Sequence, residues 1–215
     1  MDRNLLEFCV DRPTSSSPIG DYDDLSAPGP VDRDQRHVSL YRVGALTVGG
    51  RRELCVVRNV SAGGLMLTSY SPISRGSRIA VEFKQGEPVS GEVVWTNGNS
   101  VGMRFDEAVD IAAILAQSPQ GLRPRLPRID IECAMSVRDG SDSYEVRALD
   151  ISQGGVCVES AAEFEVGTDV VVVIEGLPPE PAVVRWKKDD CHGLGFIRLL
   201  SVTSLAAWLK DRNQR

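Results

Sequence analysis

Histidine occurs only twice in the 215 residues, at His37 and His192, and neither sits in a pattern that would activate a nucleophile. A hydrolase of the Ser-His-Asp type is therefore excluded, and no enzyme is expected. Cysteine is also scarce. Cys9, Cys55, Cys133, Cys157 and Cys191 form an odd set without a C-x-x-C pair. That argues against a disulfide framework and a zinc knuckle, and predicts free thiols in a reducing cytoplasm. Aromatic residues make up 6% of the chain and the net charge is −6, so base-stacking platforms and a basic footprint are both lacking. An oligonucleotide-binding barrel is disfavoured on both counts. The longest aliphatic run, Val170 to Ile174, is far short of the roughly 20 residues that span a bilayer. The first ten residues carry Asp2 and Glu7 rather than a basic n-region, so no signal peptide is expected.

What is present is the composition of a globular protein, 42% hydrophobic and 25% charged, of a length that suits one large or two small domains. Charge is unevenly spread. Residues 1–30 hold six acids against Arg3 and Arg12, together with four prolines and the run Ser15-Ser16-Ser17. Such a stretch buries too little surface to offset its ordering entropy, and it is expected to be a disordered acidic tail.

Beyond the tail the chain repeats itself. Asn59-Val-Ser-Ala-Gly-Gly64 returns as Asp150-Ile-Ser-Gln-Gly-Gly155, 91 residues later. The same shift carries Gly76 to Gly167, Trp95 to Trp186, Gly102 to Gly193 and Phe105 to Phe196, with no insertion or deletion. Two copies of one unit are implied, with residues 31–118 as the first domain and 119–215 as the second. Residues 119–128 form a linker that is proline-rich, basic and free of acids.

Within each copy the apolar pattern is that of strands. Glu53–Val60, Gly64–Thr68, Arg78–Phe83, Val89–Trp95 and Ser100–Phe105 are short, rich in β-branched residues and separated by Gly, Pro, Asn or Ser. Five or six such strands in about 90 residues predict a mainly β fold of two consecutive small antiparallel barrels, since closure removes exposed edges. Each copy ends in a helical pattern, over 106–117 and 201–210. In the latter, Leu205, Trp208 and Leu209 fall on one face, which is expected to plug or cap its barrel.

The repeated Asn/Asp-x-Ser-x-x-Gly element, downstream of arginines in both copies, resembles the PilZ domain family. That family's signature joins an Arg-x-x-x-Arg arm to Asp/Asn-x-Ser-x-x-Gly some twenty to thirty residues on. The resemblance covers roughly residues 31–210 and includes the strand ending Val93-Val94-Trp95. It implies a small β-barrel that binds cyclic di-GMP without catalysis, and, as family sites, Asn59, Ser61 and Gly64 in the first copy and Asp150, Ser152 and Gly155 in the second.

The arms depart from the signature. The first copy has Arg33 in its first slot, His37 in its second, and a displaced Arg36. The second has Arg128 in its second slot and Pro124 in its first, flanked by Arg123 and Arg125. On this resemblance the protein is a receptor that rearranges its domains on binding cyclic di-GMP and signals to a protein partner, without a cofactor, polymeric nucleic acid or membrane insertion. The alternative is a degenerate PilZ-like scaffold that has lost nucleotide binding and works through protein–protein contacts.

The residue types suit the ligand on general grounds. Cyclic di-GMP is a dianion carrying two guanines. An arginine fork matches O6 and N7 of guanine or a phosphate. A carboxylate or amide on a turn meets the opposite guanine edge, and glycine lets a flat base approach the backbone. Trp95 and Trp186 read as core or barrel-wall residues in preference to stacking platforms. Asp189-Asp190-Cys191-His192 reads as an exposed hairpin tip rather than a metal cluster, and Gly49-Gly50 and Gly140 read as hairpin turns.

Overall fold

Several of the described segments alternate between buried and less buried positions. Gly64–Ser69 reads intermediate, buried, intermediate, buried, intermediate, buried, as expected of a strand with one face on a core. In a computed structural model, which describes residues 38–82, 88–112 and 126–212, twelve strands form. They are β1 (Val38–Val48), β2 (Arg51–Ser61), β3 (Gly64–Ser69), β4 (Arg78–Glu82), β5 (Val89–Asn97) and β6 (Ser100–Phe105), then β7 (Ile129–Asp139), β8 (Asp142–Ser152), β9 (Gly155–Glu159), β10 (Asp169–Val173), β11 (Glu180–Lys188) and β12 (Cys191–Phe196). One helix, α1 (Val202–Arg212), follows. Two closed antiparallel barrels result, ordered β1-β2-β3-β6-β5-β4 and β7-β8-β9-β12-β11-β10. The mainly β, two-barrel expectation is met. The sequence pattern had not singled out β1, whose regular alternation is broken by a register shift between Ser39 and Arg42.

The hairpin turns are where the glycines are. Gly49, Gly50 and Gly140 have φ of 55°, 80° and 60°, which a Cβ would strain. The first core is filled by Leu46, Val57, Val60, Leu67, Val81 and Val93 among others, the second by Val137, Ile151, Val158, Val172 and Leu194. The helix α1 caps the second barrel as its spacing predicted. Leu205, Ala206, Trp208 and Leu209 are buried, the Trp208 indole N–H donates to the Glu175 carbonyl at 2.8 Å, and the Ser201 hydroxyl accepts from the Ser204 N–H at 3.4 Å. In the first copy, residues 111 and 112 are helical. The remainder of the expected helix over 106–117 lies outside the described residues, as do the tail (1–30) and the Arg33–His37 arm. Among the described residues no helix is long and apolar enough to cross a membrane.

The barrels meet through β2. Leu54, on the opposite strand face from the first core's Cys55 and Val57, is 2% exposed and belongs to the second core, with Val43 and Tyr70 packed beside it. Arg52 bridges the same junction, donating from Nε to the Arg128 carbonyl at 3.2 Å and from Nη2 to Glu82 at 2.6 Å.

Candidate functional site

Each barrel has a cleft at the same place, and two β-bulges build it. In β2, Cys55 and Val57 point inward, so simple alternation would send Asn59 into the core. The register shift between Val57 and Asn59 inserts one extra residue. Val60 takes the core position and Asn59 turns outward. In β8 the shift between Ala148 and Asp150 does the same, with Ile151 fully buried and Asp150 released. A second bulge lies between Val93 and Trp95 in β5 and between Val184 and Trp186 in β11. It turns both tryptophans out of the core, leaving them 42% and 37% exposed. The reading of these residues as barrel wall therefore holds, and the reading as core does not. Each indole lies over the glycine paired with it, Gly102 or Gly193, where a Cβ would collide with the ring.

The clefts hold about 410 Å³ in the first barrel and about 550 Å³ in the second. Asn59, Ser61, Gly64 and Trp95 line the first; Asp150, Ser152, Gly155 and Trp186 line the second together with Arg128. The serines close the turn: Ser61 Oγ donates to the Gly64 carbonyl at 3.2 Å and Ser152 Oγ to the Gly155 carbonyl at 3.3 Å. The two glycines have a reason of their own to be glycine. A Cβ at Gly64 would strike the Met103 carbonyl of β6, and one at Gly155 the Leu194 carbonyl of β12. Neighbouring-strand packing thus demands glycine before any ligand is considered.

In the second cleft Arg128 Nη1 stands 3.6 Å from Asp150 Oδ2. Burial raises the Asp150 carboxyl above its ordinary value. The Arg128 guanidinium opposes that shift, and Asp130, paired with Asp150 across β7 and β8, adds to it. Burial, followed by the Asp150 and Cys191 side chains, pushes the neighbouring Cys157 thiol up to about 11. That thiol is neutral at physiological pH and adds no charge to the cleft.

Of the residues the motifs pointed to, Arg128, Asp150, Ser152 and Gly155 are brought together on one cleft and Asn59, Ser61 and Gly64 on the other. Arg33, Arg36, Arg123 and Arg125 lie outside the described residues. The motif reading missed Arg104 and Arg185 and did not place the tryptophans in the clefts. The 91-residue shift pairs Trp95 with Trp186 and held that signal. The Asp189–His192 segment turns at Asp189, with φ of 52°, but His192 is 1% exposed and points into the barrel, so the exposed tip ends before it. Among the described residues no group of three His, Cys, Asp or Glu side chains is placed to hold a metal.

A duplicated barrel with an open, polar-edged, indole-walled cleft on each copy defines a tandem β-barrel protein. A profile of the PilZ domain matches residues 32–117 and again 122–210, and the chain belongs to that family. No curated protein matches it. Solved structures similar to it include Borreliella burgdorferi PlzA in complex with c-di-GMP, at 11% identity over 80% of this chain and 91% of that one, with a TM-score of 0.35. Bacillus subtilis MotI/DgrA, an inhibitor of motility, matches at 12% identity over 82% and 98%, TM-score 0.36. Escherichia coli YcgR in complex with c-di-GMP matches at 15% identity over 80% and 84%, TM-score 0.31.

Proposed function

We propose that the protein is a non-enzymatic, cytoplasmic receptor for cyclic di-GMP, with residues 31–118 and 119–215 as its two binding domains. The observation that carries the proposal is the second cleft, where an arginine fork, a carboxylate and an exposed indole converge. Asp150 accepts from the N1–H and amino group of one guanine, and Arg128 leaves its carboxylate partner for a phosphate or for guanine O6 and N7. Trp186 offers a face for the base. Ser152 completes the edge. In the first copy Asn59, Ser61 and Trp95 repeat this set with an amide for the carboxylate. Arg33 and Arg36 serve the first copy as its arm, as Arg123 and Arg125 serve the second.

Occupancy of the second cleft is transmitted to the other barrel. Arg128, which the ligand recruits, is held at its carbonyl by Arg52 of the first barrel. A ligand that favours one position of Arg128 therefore biases how the barrels dock, by no more than its preference between the two arrangements. A protein partner reading the junction would sense that change. The reading as a scaffold without nucleotide rests on the arm slots, where His37 and Pro124 stand in place of arginines. Isothermal titration of the full chain with cyclic di-GMP separates the two: heat with saturation is expected of a receptor, and none of a scaffold. Small-angle scattering with and without saturating ligand tests the change in docking.

A further inference from the structure

The two clefts are related by one shift in sequence but differ at three positions that face one another. On the first barrel, Glu92 of β5 lies directly opposite Arg104 of β6 and pairs with it at 3.3 Å, while the bulge position holds Val94. On the second barrel the equivalents are Val183, Gly195 and Arg185. The arginine has moved from the partner strand to the bulge, its acid has become valine, and its former position has become glycine. Arg185 uses the space that glycine leaves: a Cβ on Gly195 would fall 2.9 Å from both Cγ and Nε of Arg185. Its side chain lines the cleft beside Trp186, exposed, and makes no hydrogen bond or ion pair with another described residue. One cleft has its guanidinium tied to a carboxylate. The other presents it free.

Building on the receptor reading, we propose that Arg185 is an affinity-determining residue of the second cleft. It supplies the second guanidinium that Pro124 denies the arm, and it makes this barrel the tighter of the two cyclic di-GMP sites. With Arg128 and Arg185 both lining the cleft, a dianion meets two forks. In the first cleft any use of Arg104 must first break its pair with Glu92. The bulge matters because it re-aims the residue within it, so an arginine there serves the cleft.

The test is isothermal titration of the full chain with cyclic di-GMP, in an Asn59→Ala/Ser61→Ala background that leaves the second site to be read alone. Arg185→Ala is expected to weaken binding roughly 10- to 100-fold, the range for losing a charge-assisted hydrogen-bonding group. Arg185→Lys should recover only part of that, because an ammonium lacks the fork. Conversely, Glu92→Val/Val94→Arg/Arg104→Gly in the otherwise natural chain should tighten the first site. If Asp150→Ala abolishes binding while Arg185→Ala binds like its parent, the role of Arg185 is refuted and the receptor reading stands. If the natural chain itself binds no cyclic di-GMP, both fall. The exposed position of Arg185 makes misfolding of its variants checkable by thermal unfolding, and the lysine variant decides the matter should the alanine variant unfold.

Discussion

Asp150→Asn should weaken cyclic di-GMP binding while sparing or strengthening the fold, because on the proposed receptor reading one carboxylate serves both. The native environment raises this carboxyl above its ordinary value near 3.8, chiefly by burial, and Arg128 at 3.6 Å only partly offsets this. In the pH window between the unfolded and native values, the native chain holds more protons than the unfolded one. Stability contributed by Asp150 is thus full below the unfolded value and declines as pH rises through the native one. At neutral pH the charge is a net cost to folding that an amide does not carry. Arg128, with its side chain 43% exposed, loses a pair worth about 0–1 kcal/mol when Asp150 becomes Asn.

For the ligand the balance reverses. A carboxylate accepts two guanine N–H groups with charge assistance, at about 1.5–3 kcal/mol, whereas an amide accepts with one atom and turns its own N–H₂ toward the other donor. A loss of about 2 kcal/mol, or roughly 30-fold in Kd at the second site, follows. Titration calorimetry and thermal melts of both proteins at pH 7.5 and at acid pH provide the measurements. The expected result is an equal or higher Tm for the variant at pH 7.5, a difference that shrinks at acid pH, and affinity that falls with pH only in the natural protein. Unchanged affinity in Asp150→Asn, or a Tm well below the natural chain's at pH 7.5, would refute the assignment of this carboxylate.

Three further outcomes are expected. Gly193→Ala should cost about 1–3 kcal/mol by forcing the Trp186 indole off the barrel wall, read as a lower Tm with a changed tryptophan emission, and it should weaken cyclic di-GMP at the second cleft. Leu54→Ala should cost about 2–5 kcal/mol and loosen the junction, since this first-barrel side chain is packed in the second core; scattering that shows unchanged dimensions together with an unchanged Tm would contradict that packing. His192 replaces the buried Val101 of the first copy, has an unpartnered Nδ1, and titrates below its ordinary value of 6.5, first because it is buried and next because Lys187 is near, against Glu163 and Asp190. Stability from its neutral form is present above about pH 6.5 and lost as pH falls toward the native value, at no more than about 1.4 kcal/mol per pH unit. Denaturant titrations between pH 7.5 and 5 should show this slope in the natural protein and not in His192→Val.

Several features are settled within short stretches of chain. The 91-residue repeat, the strand-rich pattern of each copy, the glycines of the tight turns and the Asn/Asp-x-Ser-x-x-Gly turn need no knowledge of the fold, because periodicity and turn chemistry are local. The face on which a residue ends up is decided elsewhere. Bulges at Arg58, Val94, Leu149 and Arg185 reverse the alternation, and a single extra residue in one strand is visible only against its hydrogen-bonded partner. That is why the pattern of β5 and β11 left Trp95 and Trp186 open between core and barrel wall, and only the fold sets them on the cleft wall. Arg185 carried no motif at all. It became informative only when pairing set Gly195 beneath it and Val183 where Glu92 restrains Arg104. The burial of Leu54 in the second core and the grip of Arg52 on the Arg128 backbone join distant parts of the chain, the latter pair 76 positions apart in sequence. Such contacts follow from how two closed barrels pack, a property that no local pattern encodes.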